Sequence, residues 1–188
     1  AVLRDRWVRT VLVTVSLEGA LFYGAFAYTG AYLKMRFDLP YLTVGVILAG
    51  FGLGGLVYSI LVRWLLQRLG ESGLVTGGAP ILLSCFLLLP LLPIWQMTIL
   101  LFIAAGLGFY MFHNTLQTRA TEMAPQSRGT AVAVFAFSLF LGQAVGVAVC
   151  GAAIDLVGYG WMFALVGGLM LLLGLGFANR IAAQPRAI

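Results

Sequence analysis

The stretch GTAVAVFAFSLFLGQAVGVAVCGAAI, residues 129–154, carries no charged side chain from end to end. Wound as an α-helix at about 1.5 Å per residue it reaches about 39 Å, longer than the roughly 30 Å hydrocarbon core of a bilayer. Five similar apolar runs flank it: Thr10–Leu33, Tyr41–Leu66, Leu74–Leu92, Gln96–Gln117 and Trp161–Ile181. Six such runs joined by short linkers predict an all-α, polytopic membrane protein with six transmembrane helices. With 62% hydrophobic and 9% charged residues, and a mean hydropathy of +1.03, the chain has too little polar surface to coat a water-soluble globule. Short strands of alternating polarity, the mark of a membrane β-barrel, are absent. The first run is too long for a signal peptide, contains Glu18 and is not followed by a small-residue cleavage site.

The net charge of +5 does not point to nucleic acid, because the basic residues are scattered over the linkers instead of forming one aromatic-interleaved patch. Their distribution reports orientation. With Ala1 in the cytoplasm, Arg4, Arg6, Arg9, Arg63, Arg68, Arg119, Arg128, Arg180 and Arg186 lie at cytoplasmic ends or loops, and Lys34 and Arg36 outside. This bias predicts both termini in the cytoplasm, and the membrane is expected to be the bacterial inner (plasma) membrane. Cys85 and Cys150 fall at different depths, which argues against a disulfide and for two small buried apolar residues.

The chain reads as a single domain, residues 1–188, divided near Pro90 and Pro93 into pseudo-repeats 1–91 and 92–188. Gly50 and Gly54 on the second span, and Gly142 and Gly146 on the fifth, are small residues four apart that let helices pack closely or slide. Glycine-rich spans in matching positions are what a 3+3 inverted repeat produces, although small-xxx-small spacing is common in any membrane bundle.

Of the acidic residues only Glu18 lies well inside a span, where an ionised group costs about 2.5–3.5 kcal/mol on insertion scales. It should therefore face protein or a wet cavity. On the fourth span Gly106, Tyr110, His113, Asn114 and Gln117 share one helical face. Glu18 lies about 13 Å in from Arg9 and His113 about 9 Å in from Arg119, so both belong to the cytoplasmic half and are placed to meet across a cavity. A carboxyl and an imidazole there suit proton binding, because their charge responds to hydration. The plainer alternative for His113 is a structural hydrogen bond to a neighbouring helix. Phe22, Tyr23, Phe26 and Tyr28 either line a path for an amphipathic molecule or simply pack, and Tyr32 reads as an anchor at the outer interface.

The stretch HNTLQTRATEMAPQSRGTAVAVFAFSLFLGQAVGVAVCGAAIDLVGYGWMFAL, residues 113–165, resembles the fourth and fifth spans of a six-helix half of a major facilitator superfamily transporter. The markers are a linker with Pro125 and Arg128-Gly129, then Gly142 and Gly146, then Gly151, Asp155 and Gly158 spaced G-x-x-x-D-x-x-G, then Trp161 and Phe163. The linker VRWLLQRLGESG, residues 62–73, fits the family's loop motif at Arg68 and Gly70, but Gln67 stands where that motif has Asp and Arg63 where it has Gly. The departure is more like the family's second half. The resemblance implies helices seven to twelve of a twelve-helix carrier, with the first and fourth spans lining a central cavity. It also implies that the second and fifth rock at the interface between halves while the third and sixth support them from outside.

The expected function is thus secondary active transport of a small solute by alternating access, with proton-coupled efflux of drug-like or amphipathic metabolites the favoured form. Its substrate and proton pathway is assigned to Glu18, Phe22, Tyr110, His113, Asn114 and Gln117. The partners are the other half of the carrier or a second copy, the lipid bilayer and the solute, with no nucleic acid. Since the chain opens without Met and holds no second half, it is expected to be part of a longer protein, although a self-pairing unit fits as well. A non-transporting scaffold or receptor is the alternative, but gains little from a costly buried acid. An intramembrane protease is remote, because the single His has no Ser in a nucleophile elbow to pair with. One His, two distant Cys and one buried acid form no metal-ligand set, no nucleotide-binding loop is found, and no cofactor is expected.

Overall fold

The computed structural model describes residues 5–122 and 126–184. Pro125, and the termini that carry Ala1, Arg4 and Arg186, lie outside the described residues. Among the described residues every regular element is helical: α1 (Arg6–Glu18), a π turn (Gly19–Tyr23), α2 (Gly24–Phe37), α3 (Tyr41–Leu88), a 3-10 turn (Leu89–Leu91), α4 (Gln96–Glu122) and α5 (Arg128–Ala182). Since α1, the π turn and α2 run on without a break, four helices are long and apolar enough to cross a membrane: Arg6–Phe37, Tyr41–Leu91, Gln96–Glu122 and Arg128–Ala182.

The ends follow local chemistry. Asp5 caps α1 by accepting from the Trp7 amide at 2.7 Å. Lys34 and Arg36 occupy the last turn of α2, where cations oppose the helix dipole, and Asp38 closes it in the left-handed region at φ 50°. Pro90, in the 3-10 turn, ends α3.

Where six runs are expected, the two longest helices each contain two of them, with one break apiece. Gly70 interrupts α3 at φ 64°, ψ 178°, and Gly158 interrupts α5 at φ 78°, ψ 168°, a backbone region that essentially only glycine enters. Contacts with α4 show that the two arms of α3 run in opposite directions. Along the arm 41–69, Gly50 meets Ile99 and Phe102, Gly54 meets Gly106, and Gly55 meets the Tyr110 ring, so numbering rises with that of α4. Along the arm 71–88, Gly78 meets Gly108 and Met111, and the Cys85 thiol lies 3.4 Å from the Leu101 carbonyl, so numbering falls. Cys85 and Cys150 are both free and buried.

The arms of α5 relate to α1 and α2 in the same way. Gly142 meets Ser16, Gly146 meets Ala20, and the Tyr28 hydroxyl donates to the Val147 carbonyl at 2.9 Å. On the returning arm the Phe163 ring packs on Tyr32, Phe177 stacks on Trp7, and Arg180 donates to the Thr10 hydroxyl at 3.1 Å. The returning arms of α3 and α5 also touch, with Gly174 against Ala79 and the Ser72 hydroxyl donating to the Ala178 carbonyl at 3.1 Å.

The core is a continuous aromatic and aliphatic cluster around Phe22, Phe86, Phe109, Phe112 and Phe163. The outside is apolar too: Leu42, Ile60 and Leu156 are each at least 80% exposed, as expected where the surrounding solvent is hydrocarbon. Tyr32 corrects the reading of it as an interface anchor. It is buried, with its ring against Tyr159 and Phe163, because the returning arm of α5 covers it.

Candidate functional site

Glu18 is the last residue of α1 and stands directly before the π turn. A π turn widens the helix by one residue and recurs at functional positions of otherwise regular helices. His113 comes from α4, and its Nδ1 lies 2.8 Å from Glu18 Oε2, so the two polar groups picked out by solvation cost meet. They meet directly, with no cavity between them: the Glu18 side chain is 0% exposed and that of His113 13%. An acid sealed this deeply needs a partner, since a lone buried charge is far costlier than a paired one. The partnership is incomplete, for Glu18 Oε1 is buried without a hydrogen bond.

The imidazole is held between aromatic rings. Phe109 stacks on it at 5.0 Å between centroids and 12° between planes, and Phe135 from α5 approaches at 5.6 Å. Both arrangements fix the position and tilt of the imidazole. Phe109 lies four residues before His113 on the same helix and follows from helical spacing. Phe135 does not, because nothing along the chain gives the register between two spans.

The other pathway candidates separate. Phe22 is buried in the aromatic core, 4.3 Å from Phe109 between centroids, and lines a small apolar cavity with Phe26, Cys85, Phe86 and Phe102. Tyr110 turns toward the arm 41–69 of α3, the outgoing arm in chain order as 128–157 is that of α5, packing on Phe51 and Tyr58. Asn114 and Gln117 open with Tyr58, Ser59, Thr118 and Thr121 onto a groove between that arm and α4. The polar face of α4 is thus divided, with His113 on the α1 side and Asn114 and Gln117 on the α3 side.

Gly50, Gly54, Gly142 and Gly146 are all buried in helix contacts. A Cβ on Gly54 would strike the Ile103 carbonyl, one on Gly142 the Ser16 carbonyl and one on Gly146 the Ala20 carbonyl, whereas Gly50 has slightly more room at 3.1 Å from the Ile99 carbonyl. Glycines outside the small-xxx-small pairs do the same work: Gly19 faces the Leu139 carbonyl, Gly106 that of Phe51, Gly78 that of Gly108, and Gly24 lies against the Gly146 backbone. Of the loop-motif residues, Gly70 and Gly158 are the two helix breaks, Asp155 is exposed, and the Arg68 guanidinium lies 5.8 Å from the Trp64 ring centroid. A further ion pair joins the break at Gly70 to α4: Arg119 binds Glu71 and also reaches Glu122 at 3.5 Å. Among the described residues no group of three or more His, Cys, Asp or Glu is placed to hold a metal ion.

Comparison with known proteins agrees with this architecture. The chain is 23% identical over 133 residues to the uncharacterized MFS-type transporter YceJ of Bacillus subtilis (strain 168), a match covering 69% of this chain and 33% of that protein. The chain therefore spans about a third of that relative's length. A family model described as Major Facilitator Superfamily matches residues 1–146, a segment that contains Glu18, His113 and the close-packed glycines Gly19, Gly50, Gly54, Gly106, Gly142 and Gly146. With most of its length matched and its long apolar helices built for a bilayer, this membrane protein belongs to the Major Facilitator Superfamily, a family of transporters.

Proposed function

We propose that the chain is one six-span half, helices seven to twelve, of a secondary active carrier that exports a small amphipathic solute in exchange for protons. The two arms of α3 and the two arms of α5, with the span α1–α2 and α4, supply the six crossings. Their contacts support a 3+3 inverted repeat. The outgoing arm of α3 packs on α4 as the outgoing arm of α5 packs on the first span, and the returning arms pack on each other. Gly54 and Gly142 are separated by the same number of residues as Gly70 and Gly158. The excess of arginine at one set of span ends supports cytoplasmic termini, and the Bacillus subtilis relative supports a bacterial inner membrane. The exposed apolar outgoing arms are suited to the second half of the carrier, or to a second copy, and to lipid.

The observation that carries the reading is the Glu18–His113 pair, which ties the first span to the fourth inside the membrane. In the state described here the pair is closed. Protonating Glu18 removes the charge that holds His113, so the first and fourth spans separate more easily, and the same residues then face solute. Proteoliposomes containing the full-length carrier test this. Efflux of a labelled amphipathic probe driven by an imposed pH gradient should fall about tenfold or more in Glu18→Gln, while exchange of probe across the membrane without a gradient persists. Undiminished gradient-driven flux in that variant would sink the proposal.

A further inference from the structure

Glu18 and His113 are unequal in their access to water, and the difference gives the pair a direction. The carboxyl is completely enclosed, while part of the imidazole is not. Its surroundings close every direct approach. The Gly19 backbone next to it is pressed against Leu139 of α5, Phe22 and Phe109 pack together on the membrane-centre side, and Phe135 covers the imidazole from α5. Other titratable groups nearby are Tyr23 on the first span and Tyr110 on α4, with Tyr58 of α3 beyond Tyr110; α5 contributes Phe135 and Leu139.

We infer that His113 is the route by which Glu18 exchanges its proton with water, acting as a relay through the two nitrogens of one ring. Resting on the proton-coupled reading above, the inference assigns the imidazole a conducting role in place of a second storage site. Nδ1 is engaged with the carboxylate, so Nε2 is the nitrogen left to meet water. A proton from water bonds to Nε2 of neutral His113, whose Nδ1–H already donates to Glu18 Oε2. The Nδ1–H bond then breaks as an O–H bond forms on Oε2. One proton has entered, Glu18 is neutral, and His113 is neutral again with its proton on Nε2. The reverse sequence discharges the acid and resets the ring.

Phe109 is the positioning residue of this relay. Its stacking holds the imidazole plane with Nδ1 on Oε2, which leaves Nε2 as the ring nitrogen not engaged by Glu18. The π turn contributes in the same sense, because it sets Glu18 against α4 while the following residues keep their contact with α5.

The test follows proton exchange at Glu18 itself. The full-length protein in lipid nanodiscs is given a rapid pH step, and the carbonyl stretch of the protonated carboxyl, assigned by its loss in Glu18→Gln, is followed by time-resolved infrared spectroscopy. In His113→Ala the rate should fall about 100-fold. Added imidazole should restore it, and pyrazole, which has the same size but is a far weaker base, should not. His113→Gln keeps a hydrogen-bond donor to the carboxyl but cannot relay, so it should be slow and beyond rescue, which covers the case in which the alanine variant does not fold. An unchanged rate in either variant overturns the inference, as does equal recovery with imidazole and pyrazole, which would make His113 a spacer. Because no solute is present, slow exchange in these variants combined with flux indifferent to a pH gradient would break the coupled-transport reading and leave the relay standing.

Discussion

The contacts that α4 makes with α3 and those that the first span makes with α5 are nearly copies of each other in backbone and opposites in chemistry. Gly106 faces the Phe51 carbonyl as Gly19 faces that of Leu139, and Gly54 faces the Ile103 carbonyl as Gly142 faces that of Ser16. Yet the first span puts a buried acid beside its glycine, where α4 has Ala105 beside Gly106. The α4–α3 side instead opens a groove of uncharged polar groups, Asn114, Gln117, Ser59 and Thr118. Close packing therefore sets the frame twice, and the ionisable pair is added once, across the frame.

The largest effect should come from splitting that pair. His113→Ala leaves Glu18 enclosed and alone, at a cost of about 3–5 kcal/mol in denaturant unfolding of the solubilised protein, and the double variant Glu18→Gln/His113→Gln should recover most of it. If the single variant is as stable as the parent, the sealed site is open in solution. Next come the duplicated contacts. Gly54→Ala and Gly142→Ala each drive a methyl into a backbone carbonyl, so each should cost about 2–3 kcal/mol, and the two losses should agree. Unequal losses would mean that the likeness between the two sides is only geometric. Smallest is Arg119→Ala, which removes the pair with Glu71 at the break in α3. Both side chains are part-exposed, so less than about 1 kcal/mol is expected by the same unfolding measurement.

Much of this frame is legible along the chain. The apolar runs mark where helix crosses lipid, and solvation cost alone singles out Glu18 and His113. The breaks at Gly70 and Gly158 fall within the gaps between apolar runs, residues 67–73 and 155–160, but the runs do not show that helix continues up to both sides of a single glycine whose φ and ψ alone make the reversal. Tyr32 illustrates a second limit. An aromatic near a span end suits an interface anchor, and what buries it, the returning arm of α5, is more than a hundred residues distant in sequence. The face shared by Tyr110, His113, Asn114 and Gln117 illustrates a third. Helical spacing places them on one side of α4, but two different neighbours divide that side between them.

The π turn after Glu18 amounts to one surplus residue spliced into a coil of otherwise ordinary pitch. A single added or lost residue turns everything upstream by about 100° against everything downstream. Excising Ala20 would thus straighten the first span and swing the carboxyl away from its imidazole, while Gly24 and the residues beyond keep their seat. Descent within such a family can in this way re-aim an acid around the helix axis by a one-codon change, without remaking the walls that enclose it.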